Sequence, residues 1–280
     1  MPEGDTVRQV AQCLAPELRG QVLRGVEARR LDMRRLVGAR VVAVESKGKH
    51  LSIVCDNGLT LRSHLGLYGS WHGYAPGEPW QRPAWQASLV LVTDVRILVC
   101  FNAKEVEIHA SQGWRHRDAQ ARLGPDLAAG RAQPQTLLAR MEAFAGPETW
   151  LADLLLDQRI AAGIGNVYKC ETLFLARLSP VVRRADLPAE ALIGLYHLAS
   201  DLIRANLGGG PRVTRWGPGG RPGLWVYRRA GEPCLRCGAP IRRDLLGLTP
   251  RSTYWCPACQ GVALTVGAGP ESGPISGRMV

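Results

Sequence analysis

Residues 234–260 read CLRCGAPIRRDLLGLTPRSTYWCPACQ, with two C-x2-C pairs: Cys234 with Cys237, and Cys256 with Cys259. Each pair turns two thiolates toward one point, and the intervening stretch suits a β hairpin, so the four can surround a tetrahedral Zn2+. Four sulfur ligands fill the coordination sphere and leave no position for water or substrate. The pattern predicts a zinc ribbon over residues 228–262 that holds one structural ion. The same span carries Arg228, Arg229, Arg236, Arg242, Arg243 and Arg251 against Glu232 and Asp244. Such an excess suits phosphate binding, and a solvated face accounts for it as well.

Moving upstream, residues 202–229 contain six arginines and no acidic residue, and residues 208–223, GGGPRVTRWGPGGRPG, are loop-like in composition. Before them lie helical runs: TLLARMEAFAG, WLADLLLDQRIAAGIGNVYKCETLFLARLSP and PAEALIGLYHLASDLIRANLGGG. In AAGIGN, residues 161–166, two glycines interrupt the pattern, which predicts that one helix ends and another starts at a sharp angle. An Ala-, Gly-, Pro- and Gln-rich stretch at 119–135 reads as a linker. Between about residues 21 and 110 the texture is β, with runs such as ARVVAVES, HLSIVCD and ASLVLVTD broken by turn signals. At the start, Val7, Val10, Ala11 and Leu14 mark one buried helix face, with Asp5 as the expected N-cap. The division expected is therefore 1–118 for a β-sandwich, 119–135 linker, 136–227 helical, 228–262 ribbon and 263–280 a disordered tail. The class is α+β and multidomain. No internal repeat is present.

The 280 residues carry a formal charge of +11 and a pI near 9.7, which favours a polyanionic partner, nucleic acid first. No run approaches the roughly 18 consecutive apolar residues of a spanning helix, and the start lacks the pattern of a signal peptide. A soluble, cytoplasmic protein is the expectation, with no membrane partner. Cys13, Cys55, Cys100 and Cys170 stand singly in apolar surroundings and read as reduced thiols.

Four stretches now fit one pattern: PEG at 2–4, SKGKHL at 46–51, GIGNVYKCE at 163–171 and RSTYWCPACQ at 251–260. In that order they resemble the formamidopyrimidine-DNA glycosylase and endonuclease VIII family, and the resemblance runs from Pro2 to about Gln260. It implies an N-terminal β-sandwich with flanking helices, a helix-two-turns-helix domain and a C-terminal zinc ribbon. It also implies a bifunctional DNA glycosylase and abasic-site lyase of base excision repair, monomeric, acting on DNA that contains oxidised bases or abasic sites. By this resemblance Pro2, after removal of Met1, is the amine nucleophile at the sugar C1′, and Glu3 the general acid. Lys49 matches the essential lysine of the family's β hairpin. Asn166 and Arg251 match its phosphate contacts. Leu67 and Tyr68, within HLGLYGSW at 64–71, align with the wedge that fills the gap left by a flipped base. A Leu-Tyr pair is more like the endonuclease VIII branch, which prefers oxidised pyrimidines.

Read residue by residue, each of these has a plainer account. Glu3 would be an exposed carboxylate near a helix start, Lys49 a solvated turn lysine, Asn166 a helix cap, and Leu65 with Leu67 a sheet-core alternation. The sequence also departs from the family. Thr6 stands where better-known members have an acidic residue, and DVRILVCFNAKEVEIHA contains no Arg-Phe-Gly loop. The loop at 208–223 occupies the place of a lesion-capping loop in some relatives. His50, His64, His109 and His197 read as core or surface histidines. Two other functions use the same features: a non-catalytic damage-binding or architectural protein, and a zinc-ribbon module for structured RNA.

Overall fold

The computed structural model describes residues 2–29, 31–111 and 122–261. Met1, the tail expected at 263–280 and part of the expected linker lie outside them. Helix α1 spans Gly4–Leu18 and buries Val7, Ala11, Leu14 and Leu18, the face that the periodicity marks. Asp5 is not its N-cap: Glu3 holds that position without a side-chain cap bond, and Asp5 lies in the first turn. The reason is that both acidic side chains are drawn to partners in a different domain.

Two four-stranded antiparallel sheets follow. One contains β1 (Gly25–Ala28), β6 (Ala87–Val92), β7 (Ile97–Phe101) and β5 (Ser70–Tyr74), in that spatial order. The other contains β2 (Val41–Lys47), β3 (His50–Cys55), β4 (Leu59–His64) and β8 (Glu105–Ala110), also in that order. Leu51, Ile53 and Leu61 turn inward and meet Leu89, Leu91 and Leu98 in one core with α1. Alternation of this kind puts every second side chain on the shared face. Truncating one such buried leucine to alanine costs about 2–5 kcal/mol. The 65–69 and 102–104 turns both cross from one sheet to the other, at the same end of the sandwich.

The helical domain comprises α2 (Pro134–Phe144), the short α3 (Leu151–Leu154), α4 (Asn166–Leu175) and α5 (Ala189–Ala205). The run expected as one long helix before AAGIGN is helical only over α3, and turns fill 155–165. Gln158 holds these turns: its Nε2 donates to Leu156 O at 2.8 Å and Ile164 O at 2.9 Å, and its Oε1 accepts from Gly163 N at 3.0 Å. The described part of the stretch expected as linker is also packed. Leu127, Ala128 and Ala132 belong to the helical core, and Leu127 N donates to Ala162 O at 3.0 Å. Small residues suit close backbone approach as well as a free tether; a Cβ on Gly124 would overlap Ile160 O.

Strand pair β9 (Arg215–Trp216) and β10 (Pro222–Gly223) makes a small hairpin of the Gly-rich loop. The ribbon is β11 (Arg242–Leu246) against β12 (Arg251–Trp255), and Cys170 and Phe174 of α4 join its core with Val226, Ile241 and Cys256. Among the described residues no helix is long and apolar enough to cross a membrane.

Candidate functional site

The chain start is threaded into the second domain. Gly4 N donates to Gly163 O at 2.9 Å, and a Cβ on Gly4 would stand 2.9 Å from Gly163 Cα. Glu3, with 0% exposure, sets its carboxylate against the N-terminus of α4. Its Oε2 accepts from Gly165 N at 2.9 Å and Tyr168 N at 3.2 Å, and its Oε1 from Val167 N at 2.8 Å. Backbone donors and the helix dipole both favour an anion at this place. Gly165 has to be glycine, because a Cβ there would overlap the Glu3 carboxyl. Glu3 is therefore not the exposed carboxylate of the plainer account.

Asp5 makes a second joint. Its Oδ2 accepts from Tyr168 Oη at 2.9 Å and Arg212 Nε at 2.7 Å, and Arg212 Nη2 reaches Oδ1 at 2.6 Å. The guanidinium also lies over the Tyr168 ring, 4.9 Å from its centroid. Burial, then the Asp5 charge, pushes the Tyr168 phenol well above its ordinary range. Thr6 at the neighbouring position contributes a hydroxyl that donates to Asp5 Oδ1 at 3.2 Å and accepts from Arg212 Nη2 at 3.1 Å.

The β2–β3 turn brings Lys49 to the same place. Gly48 has φ +57°, and a Cβ there would stand 2.7 Å from the Ala162 Cβ, so the hairpin tip rests on the helical domain. Burial pushes the Lys49 amine below its usual range, Glu3 opposes this, and Arg251 and Arg212 add to it. Lys49 lines a cavity of about 600 Å3 together with Pro2, Glu3, Asn166, Arg251, Leu67 and Tyr68; Lys47 does not.

All seven non-metal site residues expected from the sequence thus border one cavity. Leu65 is in the core at 3% exposure, whereas Leu67 and Tyr68 project at 52% and 77%. The sheet-core account holds for the first leucine and fails for the second. Asn166 opens α4 and does not act as a side-chain cap; its Nδ2 donates to Ser252 O, and Glu3 takes the N–H groups of 165, 167 and 168 but not that of Asn166. Arg251 begins β12, exposed.

Four polar lining side chains escaped the sequence reading as site members: His64, Asn102, Lys104 and Gln158. Asn102, at φ +49°, donates from Nδ2 to Gln86 Oε1 at 3.2 Å. An Asn between two strand runs is the signal that could have found this turn, because Asn is enriched at positive φ. His64 packs against His50 with the rings tilted by 44° and their centroids 4.8 Å apart. Burial, then Arg62, pushes His50 down to about 3, and burial also lowers His64. Both histidines are half-buried, on the paired strands β3 and β4.

At the ribbon, the four cysteine Sγ atoms lie within 4.8 Å of one another. Tetrahedral Zn–S bonds of about 2.3 Å imply S···S edges of about 3.8 Å. Cys234 to Cys259 is 3.8 Å and Cys237 to Cys256 is 3.5 Å. Arg236 N also points at Cys234 Sγ, at 3.5 Å, as expected where a backbone loop cradles a thiolate. The donor set fits zinc.

Residues 1–107 match the formamidopyrimidine-DNA glycosylase N-terminal domain, 123–214 its H2TH domain, and 231–262 the zinc finger found in FPG and IleRS. The chain belongs to the formamidopyrimidine-DNA glycosylase family. It is 40% identical to the probable endonuclease 8 2 of Streptomyces coelicolor over 265 residues, covering 93% of this chain and 94% of that one. It is 37% identical to the DNA-(apurinic or apyrimidinic site) lyase Nei2 of Mycolicibacterium smegmatis, covering 93% and 99%. Among solved structures, the MutM (Fpg) protein of Thermus thermophilus matches at TM-score 0.76 and 30% identity, covering 93% of this chain and 99% of that one. As a member of the glycosylase family the chain is a DNA glycosylase with abasic-site lyase activity, of base excision repair, and its ribbon is a structural zinc site. The family reading and the α+β class with its three parts, drawn from the sequence, agree with these matches.

Proposed function

We propose that Pro2 is the nucleophile of this glycosylase and lyase, and that the cavity receives an oxidised pyrimidine nucleotide turned out of the duplex. Chemistry at C1′ requires that extrusion. The observation that carries the reading is the Glu3 carboxylate fixed on three backbone N–H groups of the second domain, which holds the adjoining residue at the cavity. The Pro2 nitrogen, once Met1 is removed, is a secondary amine. An α-amino group titrates near 8 and keeps a useful free-base fraction at neutral pH. The Pro2 ammonium gives one proton to the Glu3 carboxylate, and the free amine attacks C1′ as the N-glycosidic bond breaks, its remaining proton leaving with the base. Glu3 then passes its proton to O4′ as the C1′–O4′ bond breaks and the nitrogen lone pair closes the iminium to C1′. The iminium acidifies C2′: the C2′ proton passes to the Glu3 carboxylate, and the C3′–O bond breaks with the 3′ phosphate as the leaving group.

Lys49, its amine lowered by burial, stands beside the scissile phosphate and assists proton transfer. Arg251 and the N–H of Asn166 take phosphate oxygens on either side, a helix start being suited to that. Leu67 and Tyr68 fill the vacated step, as apolar wedges do. Every group in this account comes from one chain, consistent with a monomer, and the setting is cytoplasmic.

Borohydride treatment with an abasic-site duplex, followed by peptide mass mapping, tests the proposal. The expected adduct is on Pro2, absent in Pro2→Gly while affinity for the duplex stays within about 3-fold, and oxidised-pyrimidine duplexes are cut ahead of 8-oxoguanine ones. An adduct on any lysine instead, or equal loss of binding and cleavage in Pro2→Gly, would sink the nucleophile assignment.

A further inference from the structure

Behind the cavity, one face of α4 is joined to β12 by three side chains. Asn166 Nδ2 donates to Ser252 O, Lys169 Nζ donates to Thr253 Oγ1 at 2.8 Å, and Tyr254 N donates to Cys170 Sγ at 3.3 Å. Positions i, i+3 and i+4 of the helix thus meet three consecutive residues of the strand, the spacing of one helix face. Thr253 Oγ1 in turn donates to Arg251 O at 3.1 Å. Lys169 and Thr253 both have 0% exposure.

A fully buried lysine is unusual, because its ammonium brings three donors and a desolvation cost. Among the described residues no carboxylate forms an ion pair with Lys169, and Thr253 Oγ1 is its hydrogen-bond acceptor. Burial pushes its amine down; Cys170, Asp153 and Glu3 oppose this, and Arg251 is near enough to add to the depression. A methionine would fill the same space without that cost. What methionine lacks is the bond to Thr253, and Thr253 is the residue that grips the Arg251 carbonyl.

Arg251 needs such a grip. It is the first residue of its strand, paired across the ribbon only with Leu246, and the 247–250 turn beside it is tied down through Leu248 N on Asp153 at 3.2 Å. A small shift of the Arg251 backbone is carried along a long side chain to its guanidinium.

We propose that Lys169 is a positioning residue, which acts through Thr253 to fix the Arg251 backbone so that the guanidinium meets a DNA phosphate at the cavity. This inference rests on the reading of Arg251 as a phosphate ligand. The test compares Lys169→Met, Arg251→Ala and the double variant, as full-length zinc-loaded protein, in binding a duplex with a tetrahydrofuran abasic analogue over a range of salt. Each phosphate contact contributes about 0.9 to the slope of log K against log salt.

Lys169→Met should weaken binding about 10-fold and lower that slope by about one contact, and should cost less than about 2-fold more when Arg251 is already alanine. Thr253→Val, which removes the acceptor and keeps the shape, should reproduce the effect, and Lys169→Arg should restore much of it. Penalties that multiply in the double variant, or an unchanged salt slope in both Lys169→Met and Thr253→Val, would overturn the positioning role and leave the phosphate reading intact. Arg251→Ala with unaltered binding would overturn both. Zinc content equal to that of the parent protein shows that a variant is folded at the ribbon; loss of zinc in Lys169→Met alone passes the decision to Thr253→Val.

Discussion

Gly165 is the residue on which the site's geometry turns, since Glu3 occupies the space that any side chain there would need. Gly165→Ala should expel the carboxylate from its three donors, costing about 1–3 kcal/mol of stability as overpacking does. It should also lower the single-turnover rate by at least about 100-fold, the order of effect that a misplaced catalytic group produces. Thermal melting and quenched-flow cleavage measure the two. A variant that melts early yet cleaves at the parent rate would separate Glu3 from the chemistry. Pro2 and Glu3 were legible in the sequence through their motif. Their partners were not, because the backbone N–H groups of 165, 167 and 168 leave no side-chain signature. The same holds for Asp5, whose bond to Arg212 spans a separation that no local pattern encodes.

At the scale of the element, the hairpin β3–β4 places His50 directly opposite His64, with the rings in contact. Burial and the nearby cations Arg62, Lys49 and Lys104 keep His50 neutral down to about 3, whereas in the unfolded chain a histidine takes up its proton near 6.5. Between those values the unfolded state binds more protons, so stability falls as pH drops below about 6.5. Urea melts at pH 7 and pH 5 should show a lower midpoint at the acid end, and His50→Gln should narrow the difference. An identical difference in that variant would assign the acid sensitivity elsewhere. The strands themselves were legible from alternation, and α4 from the glycines before it. The packed turns at 123–132 and 155–165 were not, since alanine and glycine read alike in a tether and in a tight contact.

At the scale of the whole molecule, the described residues form a sandwich core with α1, a smaller cluster around Tyr74 and Phe101 within the same domain, a helical core, and a ribbon core joined to α4 through Cys170 and Phe174. The ribbon's core is small, so the zinc ion carries much of its folding. Cys256→Ser should release zinc and weaken binding to an abasic-analogue duplex by about 10-fold or more, while the sandwich stays folded. Atomic absorption and anisotropy titration report the two, and retained zinc would refute the four-thiolate site. The order of the three parts could be read from composition because each has its own texture. How they close on one another could not, since the joints, such as Gly4 to Gly163 and Gly48 to Ala162, join residues far apart in the chain. One of these joints also sets a timetable. As the chain emerges from the ribosome, Pro2 and Glu3 come out well ahead of the donors that hold Glu3, which are made more than 160 residues later. A nascent sandwich would carry Pro2, Lys49, Leu67 and Tyr68 and still lack the donors that fix Glu3 beside them. If Pro2 is the nucleophile, its end of the chain forms no working site until the second domain has folded onto it.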